Sequence, residues 1–410
     1  MAGEKREDVR EEDVTGLKYF DKLAPLLARL HDVGCQRDKA GNRTLHFDQY
    51  CMFVLLFLFN PMVRSLRAIE QASELRKVQR KLGCQRASLG SLSEATDVFQ
   101  PELLKEIITE LGGQLQPIAR DPRLKEVQHT LTLVDGTLLK GLPVLVQAAM
   151  CDTRAAKHKA KFRLHTQFDL EHGVPIRIDV TEGISRGEAD ERVVLAKALE
   201  SGRCYVKDRG YAKFKLFNEI VDAQSGYVCR LREDSRYGMV EPRTLSADDR
   251  EAGVVFDAVV LLGEATKKAS DERPNHPTRL VIVTTTPHEK RGKTGGGSAG
   301  PVNSGQLLIL TNLLDLPAWI IALIYRYRWS IEIFFRFFKH ILGCRHLLSH
   351  DPVGIEIQSY CAIIACMLIS LWTGRKPTLW TYEMICHYFT GLAEEDELLA
   401  HLARLKKQDV

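Results

Sequence analysis

With 410 residues, 45% hydrophobic and 27% charged, the chain has the composition of an ordinary globular protein and the length for two or three domains with sizeable cores. Its net charge of +4 is only mildly basic, and its ten cysteines include no C-x-x-C pair and no His/Cys cluster at zinc spacing, so the thiols read as reduced, mostly buried groups of a cytoplasmic protein. The N-terminus lacks an apolar stretch of signal-peptide type, and the apolar runs 51–59 and 361–372 are too short to span a bilayer, so both read as core helices and no membrane is expected.

In chain order, residues 17–31 form an amphipathic helix, an apolar helix begins at Phe47, and 65–82 form a basic helix. A short helix over 91–97 follows, with Ser91 and Glu94 at capping-box spacing, and then a helix over 101–111. From His129 the pattern changes to short apolar strands at 129–135, 162–170, 175–180, 205–208 and 227–231, with helices at 188–199 and 212–223 among the later ones. Three strands followed by alternating helices and strands imply an α/β core with a mixed sheet. Residues 233–314 interrupt that core with strand-like runs at 254–262, 279–284 and 306–311, and with a Gly/Ser-rich loop at 293–304 expected to be flexible. This stretch reads as an inserted β-rich domain. A helix over 317–342 and a helical tail from Pro352 complete the chain.

The helix over 317–342 has no internal Pro or Gly and is expected to be continuous. At about 100° per residue, Tyr325, Arg328, Glu332 and Lys339 fall within a sector of roughly 60°, so a phenol, two cations and a carboxylate can address one ligand. Ile324, Ile331, Phe334, Phe338 and Ile341 occupy a second arc, which is the expected buried face. A solvated edge with i, i+4 pairs, Glu332 with Arg328 or Arg336, is the alternative reading. Two more acids end apolar runs: Asp135 after residues 131–134 and Asp208 after 204–207, each followed within two residues by a glycine. An aspartate at a strand's C-terminal edge is often a turn residue or a cap. Two around one sheet, with a helix-borne glutamate downstream, suit a site that handles phosphates and a metal.

These residues carry a family resemblance. Val134-Asp135-Gly136-Thr137, Asp208-Arg209-Gly210-Tyr211 and the ungapped Tyr-x2-Arg-x3-Glu-x6-Lys spacing from Tyr325 to Lys339 resemble a DDE transposase of the insertion-sequence-four family, over roughly residues 85–375. The resemblance implies a ribonuclease-H-like mixed-sheet core over 126–232 and 315–350, with the β-rich insertion at 233–314. A helical DNA-binding region over 1–125 would precede the core and a helical C-terminal region over 351–410 would follow it. It implies Asp135, Asp208 and Glu332 as a triad holding two Mg²⁺ ions, with Mn²⁺ as a substitute, for two-metal phosphoryl transfer. Arg328 and Lys339 would hold a terminal phosphate, with Tyr325 against the same end. All four tryptophans lie outside the insertion, where some relatives stack a flipped base, leaving Tyr237 or Phe256 as substitutes.

The expected activity is cutting of transposon ends at terminal inverted repeats and joining of the 3′-hydroxyl to target DNA. A homodimer on two double-stranded DNA ends, near the nucleoid, is implied with it. Residues 75–86 carry Arg76, Lys77, Arg80, Lys81 and Arg86 without an acid, and 154–163 carry Arg154, Lys157, Lys159, Lys161 and Arg163. Clusters without countercharges suit a polyanion. Arg76, Lys77 and Arg80 are candidates for reading the ends, Lys157, Lys159 and Lys161 for tracking phosphates, and Arg336 for a further contact. A catalytically silent DNA-binding relative and a metal-dependent nuclease with the same core are the two alternative functions.

Overall fold

The computed structural model describes residues 23–33, 38, 41, 43–117, 121–140, 161–182, 186–263, 273–285, 305–341, 347–349 and 351–408. Its strands are β1 Thr130–Lys140, β2 Lys161–Asp169, β3 Val174–Glu182, β4 Arg203–Lys207, β5 Gly226–Arg230, β6 Tyr237–Pro242, β7 Val254–Leu262, β8 Thr278–Thr284 and β9 Gln306–Thr311. The helices before the sheet are α1 Ala24–Ala28, α2 Phe47–Phe59, α3 Leu66–Ser73, α4 Arg76–Leu82, α5 Leu89–Val98 and α6 Leu103–Gln114. Those within and after it are α7 Glu191–Ala196, α8 Phe214–Asp222, α9 Ala247–Glu251, α10 Ala318–Arg326, α11 Trp329–Ile341, α12 Pro352–Thr373, α13 Leu379–Phe389 and α14 Glu395–Gln408.

All nine described strands join one mixed sheet in the order β3-β2-β1-β4-β5-β9-β8-β7-β6. β1, β4 and β5 run parallel, and the remaining pairings are antiparallel. Parallel neighbours need a crossover, and β2, β3 and α7 lie within the one that separates β1 from β4. The four strands of 233–314 thus extend the core sheet through the β5–β9 pair. β6 and α9 had no counterpart among the expected elements: β6 is almost wholly exposed, so no apolar alternation marks it.

Side chains alternate across the sheet. Leu131, Leu133, Cys204, Val206 and Val228 face one core, shared with α2, α10, α11 and α12. Val134, Tyr205, Tyr227 and Cys229 face the other, which α8 closes with Leu216, Phe217 and Ile220. The helix α12 begins at Pro352, more than two turns before the expected apolar run, so contrary to the expectation it is long and apolar enough to cross a bilayer by length and composition, but it is largely buried inside the fold. All seven described cysteines are free and buried, as expected.

Several boundaries differ from expectation for local reasons. The basic segment 65–82 is two helices, α3 capped by Ser65 Oγ accepting from Ala68 N–H at 3.2 Å, and α4 closed by Gly83 at φ +62°. The cap of α5 is Ser88, which accepts from Ser91 N–H at 3.1 Å, so Ser91 lies inside the helix. The helix expected over 317–342 breaks between α10 and α11: Arg328, Ser330 and Ile331 donate to carbonyls three residues back, the tight spacing of a 3₁₀ turn. Tyr327, at this break, donates its hydroxyl to Asp121 Oδ2 at 2.6 Å, and Arg328 is drawn to two acids described below, so side-chain partners impose the turn where the sequence has no helix breaker. The expected apolar arc holds, with Ile324, Ile331, Phe334, Phe338 and Ile341 all buried. The loop 293–304 and the first part of the helix expected over 17–31 lie outside the described residues.

What fixes the start of α10 comes from the strands of 233–314. Arg279, fully buried on β8, grips Asp257 of β7 through two hydrogen bonds of 2.7 Å, and its remaining nitrogen donates to the carbonyls of Leu313, Leu314 and Leu316. Asp249 of α9 accepts the Trp319 N–H at 2.8 Å, satisfying an N-terminal donor of α10. Removing one member of a buried pair leaves an uncompensated charge. Asp257→Ala is therefore expected to cost about 3–5 kcal/mol of unfolding free energy in urea titrations, with Asp257→Asn losing less.

Candidate active site

The parallel register of β1 and β4 ends at Val134 opposite Lys207. The next residues on the two strands are Asp135 and Asp208. Adjacent strands lie about 4.8 Å apart, so two carboxylates leave the sheet side by side where the ladder stops. By alternation from Leu133 and Val206 both point to the face covered by α10 and α11. Asp135 does not close its own strand, contrary to expectation. β1 continues to Lys140 on its pairing with β2, and what ends at Val134 is the pairing with β4. Asp208, as expected, follows the last residue of β4, and its carboxylate accepts from Arg209 N–H at 2.7 Å.

Glu332 arrives from the first turn of α11. Arg328, at the break between α10 and α11, donates from Nη2 to Glu332 Oε1 at 2.8 Å, and its Nη1 lies 3.8 Å from Asp135 Oδ2. One guanidinium therefore bridges the helix acid and the strand acid. It is 8% exposed, its carbon lies 5.9 Å from the Tyr325 ring centroid and 5.6 Å from that of Trp329, and its buried Nε has no hydrogen-bond partner. Burial pushes Asp135 up to about 6; the Gly136 N–H at 2.8 Å and Arg328 pull it back, and the charges of Asp208 and Glu332 push it further. Tyr325 is also buried, which raises its phenol to about 12. Gly136 has a steric role: a Cβ there would meet Glu191 Oε1 at 2.9 Å, and Glu191 is held by an ion pair to Arg163.

The structure thus brings together Asp135, Asp208, Glu332, Arg328 and Tyr325. Lys339 is half-buried two turns further along α11, about 10 Å along the axis from Glu332, and Arg336 is exposed on the same helix. Arg76, Lys77 and Arg80 are exposed on α4, in the N-terminal helical layer, while Arg86 is paired with Glu74 at 2.9 Å. Lys157 and Lys159 lie outside the described residues, and Lys161 begins β2 with its side chain outside them.

Two features escaped the sequence reading because they assemble from distant segments. A cleft of about 510 Å³ beginning one residue past Asp208 is lined by Arg192, Arg209, Lys213, Arg232 and Arg236, with Asp234 as an acid among them. Another, of about 760 Å³, gathers Trp319, Tyr325, Arg326 and Trp329 against Arg123 and Thr284. Two tryptophans outside the 233–314 segment in sequence therefore stand against its strands in space. Asp208 and Glu332 both push the Asp135 carboxyl up, a repulsion that a hard divalent cation with oxygen ligands would relieve, although the three acids are not drawn as tightly together as the ligands of a closed metal cluster.

A family model described as the transposase DDE domain matches residues 127–368, more than half of the chain. The chain belongs to this family of DDE-domain transposases. A Sinorhizobium fredii (strain NBRC 101917 / NGR234) protein assigned as transposase y4zB is 25% identical over 263 residues, 64% of this chain and 65% of the relative. A Geobacillus stearothermophilus protein assigned as a transposase for insertion sequence element IS5377 is 24% identical over 270 residues, 65% of this chain and 61% of the relative. The chain spans less than two thirds of the length of either. The solved synaptic complex of piggyBac transposase with hairpin DNA aligns with 97% of this chain and 85% of its own at 10% identity, with a TM-score of 0.39 that carries no weight for the arrangement here.

The raised Asp135 gives a stability prediction for the metal-free protein. Between the ordinary carboxylate value of 3.8 and about 6 the native state holds a proton that the unfolded chain has released. That contribution is full below about pH 4 and lost as pH rises through about 6. Asp135→Asn is expected to remove it, so that urea unfolding between pH 4.5 and pH 7 shows wild type losing on the order of 2 kcal/mol relative to the variant.

Proposed function

We propose that this chain is a transposase of the insertion-sequence-four type that cuts the ends of its own element and joins the freed 3′-hydroxyl to target DNA. The observation that carries this reading is the buried Arg328, held between Asp135 and Glu332 beside the strand-end Asp208, with an Nε donor left for a ligand. A cation buried among acids, with a spare donor, suits a phosphate group entering beside a cation-binding cluster. The chain divides, in this reading, into a helical DNA-binding region over 1–125, a ribonuclease-H-like core over 126–232 and 315–350, an insertion over 233–314 and a helical region over 351–410.

Asp135, Asp208 and Glu332 would hold a pair of Mg²⁺ ions, or Mn²⁺ in their place, which when bound activate the attacking hydroxyl and stabilise the leaving oxygen. The protein's own groups position the strand. Arg328 and Lys339 grip a terminal phosphate, and Tyr325 packs against Arg328 and keeps it directed at the acids. Exclusion of water by the buried Tyr325 ring strengthens each charge interaction in the site. The basic cleft past Asp208 is a natural path for the backbone leaving the site, with five cations from three separate stretches of chain and one acid. The aromatic cleft at Trp319 and Trp329 is a stacking surface for an unpaired base. Arg76, Lys77, Arg80 and Arg336, with Lys157, Lys159 and Lys161, supply further backbone contacts. Two ends would be held by a homodimer in the cytoplasm, at the nucleoid.

Incubation with Mg²⁺ and DNA carrying the element's inverted repeats tests this. Joined products are expected from wild type. Glu332→Gln should reduce cleavage to background while end binding in a mobility-shift assay is retained, and Arg328→Lys should lower cleavage roughly 10- to 100-fold. Cutting without joining would indicate a nuclease, and binding without cutting a silent relative. Full cleavage by Glu332→Gln would remove Glu332 from the catalytic set.

A further inference from the structure

The sequence holds no zinc-spaced cluster, yet the fold brings His31 and His46 into contact, with Asp32 beside them. The two imidazoles stack with centroids 3.7 Å apart and planes at 11°. Neutral rings prefer offset or edge-on arrangements with centroids about 4.5–7 Å apart, so ring attraction is not what sets this pose. Hydrogen bonds at the two Nδ1 atoms set it. His31 Nδ1 lies 3.0 and 3.1 Å from the two carboxylate oxygens of Asp48, and His46 Nδ1 lies 2.8 Å from the main-chain carbonyl of His31. An ionised carboxylate and a carbonyl only accept, so both Nδ1 atoms carry the proton, and in the neutral form of each ring Nε2 is left with its lone pair.

This is the arrangement that surrounds metal-bound histidines, whose second ring N–H is donated to a carboxylate or a main-chain carbonyl, fixing tautomer and orientation. The third group is present as well: a ring nitrogen of each histidine and a carboxylate oxygen of Asp32 all lie within 4.8 Å of one another. Asp32 is exposed and both histidines are half-buried, so an ion has an entry path and a position open to water.

We propose that His31, Asp32 and His46 form a binding site for a divalent transition-metal ion of the zinc class, with Asp48 and the His31 carbonyl as its outer partners. Two imidazoles and one carboxylate suit Zn²⁺ and its first-row neighbours, with water completing four ligands, and they differ from the all-carboxylate set at Asp135, Asp208 and Glu332 that suits Mg²⁺. At metal–nitrogen distances of about 2.0–2.1 Å the lone pairs must converge, so binding opens the stack, each ring pivoting on its Nδ1 hydrogen bond. The ion would tie residues 31–32 to the residue just before α2, whose helix is buried along nearly its whole length. Its role is therefore to staple the N-terminal helical layer by closing a loop, and it does not depend on the catalytic reading above.

The test uses the full chain, stripped with a chelator and titrated with Co²⁺ and then Zn²⁺ in excess Mg²⁺, which keeps the carboxylate site occupied by its hard ion. One equivalent of Co²⁺ with the strong visible absorption of four-coordinate cobalt is expected, displaced by Zn²⁺, and bound Zn²⁺ should raise the Tm. Asp32→Ala, an exposed change that does not threaten the fold, should abolish the signal, Asp48→Asn should weaken affinity about 10- to 100-fold, and Asp135→Asn should leave it intact. Absence of binding by wild type would overturn the proposal, as would unchanged binding in both Asp32→Ala and His46→Gln, or loss of the signal in Asp135→Asn.

Discussion

The site depends on the parallel ladder between β1 and β4. Because its last pair is Val134 with Lys207, the next residue on each strand is an acid, and strand spacing alone brings the two carboxylates together. Everything else at the site is arranged around that point. The face they enter is the one carrying Leu133 and Val206, where α11 packs with Ile331, Phe334 and Phe338, so Glu332 arrives on the same side. On the opposite face the intervening Lys207 is fully buried, with its ammonium 4.7 Å from the Phe217 ring centroid and 5.4 Å from that of Tyr227. Burial without a hydrogen-bond partner lowers it to about 8. One strand end thus presents an acid to one core and a cation to the other.

Delivery of Glu332 is controlled from the far half of the sheet. The strands of 233–314 continue the core sheet through β5 and β9, and the Arg279–Asp257 pair reaches from β8 and β7 to the carbonyls just before α10. With Asp249 on the Trp319 N–H, the entry of the helix pair is hydrogen-bonded to the extension. The break at Tyr327 and Arg328 then sets the angle at which α11 leaves. Its cause is tertiary: Asp121 holds the Tyr327 hydroxyl, while Asp135 and Glu332 hold the Arg328 guanidinium. Arg328 has two tasks in this design, as counter-ion to two acids and as a donor toward a phosphate, and its unmatched Nε separates the second from the first.

Positive charge is distributed in the same economical way. Arg209 with Lys213, and Arg232 with Arg236, come from two separate segments and converge only because the end of β4, the start of α8 and the turn after β5 meet beside Asp208. Runs of basic residues in the sequence draw attention to α4 and the residues after it, yet Arg86, just past the helix, is matched by Glu74. The histidine pair at the N-terminal layer follows the same rule, assembled from two positions 15 residues apart in sequence and oriented by Asp48 and the His31 carbonyl.

Much of this was legible in the sequence. Strands β7 and β9 lie where the strand-like apolar runs predict, the apolar arc of α11 is buried, and Asp208 follows the end of its strand, because burial patterns and turn chemistry are local and leave a trace residue by residue. Tyr325, Arg328 and Glu332 likewise fall on one stripe because helical rotation is a local property. What the chain could not reveal by itself depends on partners distant in sequence. Which ladder stops at Asp135, where the helix breaks, that Arg328 is shared by two acids, that Trp319 and Trp329 stand against β8 and β9, and that five cations meet past Asp208 are all decided by contacts across the sheet. Helix and strand propensity respond to neighbours along the chain, whereas ion pairs, ladder ends and clefts respond to neighbours in space, and only packing brings those together.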